Sequence, residues 1–464
     1  SSFNYNTLRD SIQLKKDIQL DFSVQFMNEE IDEVIVTSER KDKNITSTEM
    51  SVENIDMKKI KTVPVLFGEK DILKTIQLLP GISTVSEGSS GFSVRGGSTD
   101  QNLILLDEAP VYSASHLMGF FSVFNSDALK DASVYKGGIP SKYGGRASSV
   151  LDIIMKDGNN QQFSVSGGIG LISSRLTIEG PIVKDKSSFI ISGRRSYADW
   201  VAKGFNLIEN DVDLYFYDLN AKFNYKINDK NRIFLSGYFG KDDFGFDEVG
   251  MDWGNTTGTF RWNHLVSNKM FSNTTFIYSN YEYAFNLGTT ASMSSGIQDF
   301  GLKQDFTLYL NPKNTMEFGL SSTYHTFSPG ELDFTDDDDL ETIMDQKNAL
   351  ESALYFSNDQ KLNDKFSIKY GLRFSMFNQI GEGAEYTFDE ENTIIDSVWY
   401  ESGEFMQSYF EYEPRISLNY RLTKNSSLKA SYNRMAQYLH LLSNSTSGQP
   451  TDTWIPSSNI LKPL

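Results

Sequence analysis

Four consecutive carboxylates, Asp336 to Asp339, form the densest set of metal-ligating side chains in the sequence. Clustered carboxylates suit calcium, a hard cation that takes oxygen ligands. The run lacks the alternating ligand spacing and turn glycine of a dedicated calcium loop. It therefore reads as a solvated acidic loop, and no metal site is expected. Two glycine-rich stretches, SVRGGST (93–99) and YKGGIPSKYGG (135–145), raise the question of a phosphate cradle. Neither has the spacing of a P-loop or dinucleotide fingerprint, and neither opens a long helix, so their glycines read as tight turns. Histidine occurs four times, at His116, His264, His325 and His440, and cysteine is absent. No Ser/His/Asp set in a recognisable context, no HExxH and no thiol nucleophile can be assembled. The sequence points away from an enzyme and calls for no cofactor. What remains is backbone chemistry. Val34-Ile35-Val36-Thr37 is a strongly β-prone run between acids and a charged, turn-rich segment, a strand in search of a partner.

Composition limits what could position these residues. The 464 residues carry a formal net charge of −18, and the 43 Lys and Arg are scattered, so a nucleic-acid partner is not expected. The opening SSFNYNTLRD has no basic n-region followed by an apolar h-region, so no signal peptide is read, and the sequence suits a processed or trimmed export product. No run of about 18 apolar residues exists from which to draw a transmembrane helix. A negative mean hydropathy would suggest a soluble protein, but membrane β-barrels alternate lipid-facing and lumen-facing residues and average out as polar. With 33 Phe, 23 Tyr and only 11 Pro, the composition leans toward that class.

Past residue 160 the text becomes a series of alternating segments. They are 163–171, 174–182, 187–200, 217–227, 232–240, 257–266, 270–285, 299–310, 315–327, 352–362, 365–377, 408–422 and 427–442. These are about thirteen strands with period-2 texture. Tight turns such as KDK (184–186), NDKN (228–231), SNK (267–269), NPKN (311–314), ND (363–364) and TKNSS (423–427) alternate with long polar loops. The loops are expected at 201–216, 241–256, 286–298, 328–350 and 381–407. Short turns on one side and long loops on the other is how an outer-membrane barrel is strung. Residues 45–158 read as a separate α/β domain of about 100 residues. An amphipathic helix in GEKDILKTIQLLPGI (68–82) stops at Pro80-Gly81. Strands are expected at 92–96, 103–108, 132–138 and 149–155, with a brief helix in SDALKDAS (126–133).

Residues 91–158 resemble the plug domain of a TonB-dependent outer-membrane receptor. The matching pieces are the turn Val94-Arg95-Gly96-Gly97, the strand and turn LILLDEAPVY, and the ending VYKGGIPSKYGGRASSVLDI. The run FFSVFNSDALKDASVYKGG is most similar to receptors of the Bacteroidetes type. Residues 1–31 resemble the last strands of a carboxypeptidase-regulatory-like β-sandwich. The resemblance implies a transmembrane antiparallel β-barrel enclosing a small α/β plug, in the outer membrane of a Gram-negative bacterium with the N-terminus in the periplasm. The implied organisation is a sandwich tail at 1–31, a Ton box and linker at 32–44, the plug at 45–158 and barrel at 159–464. Family barrels have about 22 strands. The roughly thirteen read here, and the absence of a terminal aromatic strand, lead to the expectation that the chain is part of a longer polypeptide, since an open sheet edge cannot face lipid.

By the same resemblance, Asp32, Glu33, Val34, Ile35, Val36 and Thr37 are the Ton box, which would add a strand to TonB by β-augmentation; the alternative is a last strand of the preceding sandwich. Arg95, Gly96, Gly97 and Arg146 are expected to latch the plug to barrel carboxylates such as Glu411 or Glu413, because guanidinium forks pair bidentately and can be broken, the alternative for each arginine being an ion pair within the plug. Tyr112, Ser113, His116 and Met118 are expected at a ligand-facing apex of the plug. His116 there raises the thought of a haem ligand, though a hydrogen-bonded structural role fits a single histidine better. The implied function is TonB-dependent import of an external ligand, small or oligomeric, with the plug displaced by a pull on the Ton box. TonB and its inner-membrane energising complex are the implied partners, and the resemblance leaves room for a surface lipoprotein. The alternative is a receptor-like barrel serving as a structural or interaction subunit of an outer-membrane lipoprotein or assembly complex.

Overall fold

Among the described residues thirteen strands from Ser164–Ile169 to Ser427–Asn433 follow one another antiparallel in a continuous sheet, with the short Thr342–Ile343 pairing off this path against Asn314–Phe334. This computed structural model describes residues 43–57, 70–85, 90–205, 212–288, 291–334, 342–343, 345–443 and 450–464. The Ton box expectation at 32–37, the sandwich tail at 1–31 and the acidic run 336–339 lie outside the described residues.

Side-chain alternation makes the sheet a membrane wall. Along Val212–Asn228 the residues Leu219, Phe223 and Tyr225 are exposed, whereas Asp218, Asn220, Lys222 and Asn224 between them are buried. Along Val249–Ser267, Phe260 and Trp262 face out while Thr259, Arg261 and Asn263 face in. Apolar outside and polar inside is the reverse of a soluble sheet and fits a lipid-facing exterior. Outward rings pair across strands, as Phe189 stacks on Phe223 in direct register. Among the described residues no helix is long and apolar enough to cross a membrane, which says nothing about strands.

The tight turns form where expected, and side-chain caps set them. Asn228, Asn311 and Asn363 accept from the backbone N–H two residues on, at 2.9 Å each. The long loops are corrected. Asn231–Phe246 and Val249–Ser267 are joined by only Asp247-Glu248, with Asp247 at φ +51°, so 241–256 is mostly strand. Met270–Leu287 and Ala291–Asn311 likewise consume most of 286–298. Residues 381–407 hold a hairpin of Gly383–Phe388 and Ile394–Tyr400. The strand read at 187–200 ends at Ser196 and is followed by the helix Ala198–Gly204. That read at 427–442 breaks after Asn433, and Leu439–Leu442 pairs instead with Thr453–Pro456.

The plug is a five-stranded mixed sheet in the order Val52–Asp56, Leu129–Tyr135, Ser149–Met155, Asn102–Leu106, Ala109–Pro110. Among the described residues its one parallel contact joins Asn102–Leu106 to Ser149–Met155. The helix Ile72–Gln77 starts on Asp71, whose carboxylate accepts from Leu73 N and Lys74 N at 2.8 and 3.1 Å. It buries Ile72, Leu73 and Ile76 against Leu129, Val134, Leu151 and Ile153. The brief helix expected at 126–133 is instead a turn running into the strand Leu129–Tyr135. Pairing on both edges outweighs the local helical preference of ALKD.

Candidate functional site

The plug meets the barrel through charges, and the turn Asp107-Glu108 carries the best organised of them. This turn joins Asn102–Leu106 to Ala109–Pro110 with both residues left-handed, at φ +46° and +76°. A hairpin of that kind normally takes Asn or Gly. Here acids occupy it, and barrel cations hold both. Lys222 Nζ lies 3.1 Å from Asp107 and 3.1 Å from Asp157, and donates to the Met155 carbonyl at 3.0 Å. Arg261 and Lys303 reach Glu108 at 3.3 and 3.2 Å. Burial alone would raise the Glu108 carboxyl, but Lys303 and Arg261 hold it down to about 2.

A second contact centres on the turn after Ser115–His116. His116 is buried, with Nδ1 2.6 Å from Asp242, Nε2 3.4 Å from Asp218, and its ring stacked on Phe216 at 4.2 Å. Arg194 closes the cluster at 2.6 Å from Asp218 and donates to the Ser122 carbonyl at 2.8 Å. Burial pushes the imidazole down, yet the Asp242 and Asp218 carboxylates more than offset it and its pKa lies above the ordinary value. Asp242 also accepts from Leu117 N at 2.7 Å, pinning a run in which Leu117, Met118 and Gly119 all have positive φ. Nearby, Tyr112 donates to Asp299 at 2.6 Å, Asn255 Nδ2 donates to the Ser113 carbonyl at 2.7 Å, and Arg415 donates to the Pro140 carbonyl.

The expected arginine latch is rearranged. Arg95, left-handed at φ +53°, donates to Ser51 within the plug at 2.6 Å, and Gly96 completes the turn at φ +84°. A Cβ on Gly97 would sit 2.5 Å from Ser148 Oγ, so that glycine serves close packing inside the plug. Arg146 donates to its neighbour's carbonyl at 2.9 Å and lies over the Trp454 ring at 4.9 Å. Neither pairs with Glu411 or Glu413 among the described residues. Glu413 is engaged by Arg415 at 2.7 Å and Arg373 at 3.6 Å, and Glu411 by Arg434, all on barrel residues or the segment after them. At the Asp107-Glu108 turn the arrangement is the reverse of that expectation, with carboxylates on the plug and cations on the wall. The strand LILLDE carried that signal in sequence, but nothing local says which wall residues face it.

Of the expected apex residues, Tyr112, Ser113 and Met118 line one cleft together with Asp100, Tyr281 and Trp454. His116 is corrected: it faces away from this cleft into the carboxylates of the wall. The remaining histidines are hydrogen-bonded too, His264 to Asn231, His325 to Asp299 and His440 to Ser457.

The profile of the TonB-dependent receptor plug domain matches residues 44–150, and that of the TonB-dependent receptor-like β-barrel matches 175–463, more than half of the chain. The chain belongs to the TonB-dependent receptor family. As such it is an outer-membrane β-barrel protein with a plug, of a Gram-negative bacterium. The siderophore receptor PirA from Acinetobacter baumannii is 14% identical with a TM-score of 0.61, over 87% of this chain and 63% of that one. A mutant of the ferric enterobactin receptor PfeA from Pseudomonas aeruginosa gives 14% and 0.62, over 90% and 68%. The alcaligin receptor FauA from Bordetella pertussis gives 13% and 0.62, over 86% and 64%. The chain thus spans roughly two thirds of the length of these receptors, and the likeness is one of fold. No curated protein matches the chain.

Proposed function

We propose that the protein is an active importer: an external ligand binds over the plug, and TonB then pulls on Asp32–Thr37 from the periplasm to displace it. The observation that carries this reading is the nature of the seal. The plug has its own apolar core, and most of the named ties to the wall are ion pairs and single hydrogen bonds from Asp107, Glu108, Tyr112 and His116, beside an apolar contact of Leu117 and Phe121 with Phe216. Such contacts exchange with water at modest net cost, so a plug fastened by them can be moved without dismantling the barrel. The outer membrane has no nucleotide supply, so the work must arrive mechanically, and strand addition to Val34-Ile35-Val36-Thr37 loads several backbone bonds along the pull.

The cleft favours neutral, cationic or metal-bearing ligands over polyanions. Its charged lining residues among those described are Asp100 and Asp452, and the chain as a whole is acidic. Similar folds include siderophore receptors and a copper transporter. Deleting residues 32–37 in the full-length protein tests the import reading. Cell-surface binding of the ligand that co-purifies with the receptor should persist while its uptake is lost. Unchanged uptake by correctly inserted protein would sink it.

A further inference from the structure

The hairpin Gly383–Phe388/Ile394–Tyr400 belongs to the long connection between the wall strands Phe366–Ile380 and Phe405–Arg421, on the side opposite the tight turns. Bacterial barrels carry their short turns on the periplasmic side and their longer loops outside, and the long connections, this one among them, all lie on one side, so this hairpin faces outward. Its register, which shifts between Thr387 and Phe388 and leaves Ile395 unpaired, sets two faces of unequal polarity. Ala384, Tyr386 and Phe388 share a face with their partners Trp399, Ser397 and Ile394, while Glu385 and Thr387 share the other with Val398 and Asp396. The first face is almost wholly apolar and open, with Trp399 58% exposed, Ile394 54%, Tyr386 42% and Phe388 39%; on the other, Val398 is 49% exposed among polar residues, and Ile395, 62% exposed, sits at the register shift. The Gly381 N–H donates to the Glu404 carbonyl at the base, and the Asn459 side-chain Nδ2 donates to the Tyr386 carbonyl part-way along the first strand. At the tip Asp389 caps the turn by accepting from Glu391 N and Thr393 N at 2.9 and 2.8 Å.

A two-stranded hairpin with one open apolar face is marginal on its own, and a contiguous exposed apolar patch rimmed by polar groups marks a contact site. The rim identifies the occupant. Residues 381–404 contain eight carboxylates and no Lys or Arg. An anionic membrane surface would call for basic flanks, and a second copy of this chain would bring the same acids face to face. We infer that this hairpin docks a separate protein on the outer face, one presenting an apolar groove edged with Lys and Arg. Trp399 and Ile394 supply the anchor, and the acids steer and orient the approach.

Photo-crosslinking in intact cells that express the full-length protein tests this. p-Benzoylphenylalanine is introduced at Trp399 or Ile394 on the apolar face, and at Thr387 or Asp396 on the polar face. The apolar-face probes should give an adduct with one other protein, joined through a Lys- or Arg-bearing peptide. The polar-face probes should give little. Added salt, or Glu390→Lys with Glu391→Lys, which leaves the apolar face and its fold untouched, should cut the adduct by about tenfold. Adducts to this chain's own residues, to a second copy or to lipid would overturn the inference. So would no adduct at all, or a yield indifferent to charge reversal.

Discussion

Glu108 is a left-handed turn residue whose carboxylate lies between Arg261 and Lys303. Removing its charge leaves two cations facing each other across a partly buried interface, which costs about 3 kcal/mol when one partner of a buried pair is deleted. Glu108→Gln should therefore lower the urea concentration at which the full-length receptor opens a conductance in planar bilayers, and an unchanged threshold would refute the latch. The sign of the pH effect follows from the depressed carboxyl. Its contribution is complete above the ordinary value of 4.5 and disappears as pH falls toward about 2. Acidification through that window should ease opening of the wild type and change the Glu108→Gln variant less. Residues of this kind were half legible. Glu108 stands in the LILLDEAP motif that marks the plug, but attention goes to arginine forks, and a fork's partner depends on register across 150 residues or more of wall.

At the scale of elements, the turn 115–119 and the helix Ile72–Gln77 make separate demands. The turn keeps Leu117 and Met118 at φ +47° and +54° against their steric preference, and the bond from Leu117 N to Asp242 helps hold it. Asp242→Ala should raise amide hydrogen exchange at 116–119 well before the plug sheet exchanges, whereas equal protection would mean the plug alone fixes the turn. Asp71→Ala removes both cap bonds and the acceptor of Ser122 N. The expected loss is about 1–2 kcal/mol of local stability, read as faster exchange in 72–77. Strand positions were legible because period-2 alternation survives even where the average is polar. Their outer ends were not. KDDFGFDEVGMDWGNTTG is rich in glycine and acids and reads as a loop, yet residue by residue it pairs from Gly240 with Asn255 to Phe246 with Val249. Ladder bonds to a neighbour already in place, absent from any local window, convert it to strand.

For the whole molecule, wall and plug were legible because each repeats or punctuates its own pattern: alternation in one, glycine turns and a capped helix in the other. How they fit together was not, because the charges that join them, Lys222, Arg261 and Lys303 against Asp107 and Glu108, come from strands separated by long stretches of chain. The central claim is that a pull on the segment Val34–Thr37 drives import past this largely polar seal. The most direct test places proline at Val34 or Ile35 in the full-length receptor and measures ligand binding and energised uptake on the same cells. Proline keeps the chain length but removes a ladder N–H. The account predicts normal binding with uptake abolished; normal binding with normal uptake would contradict it.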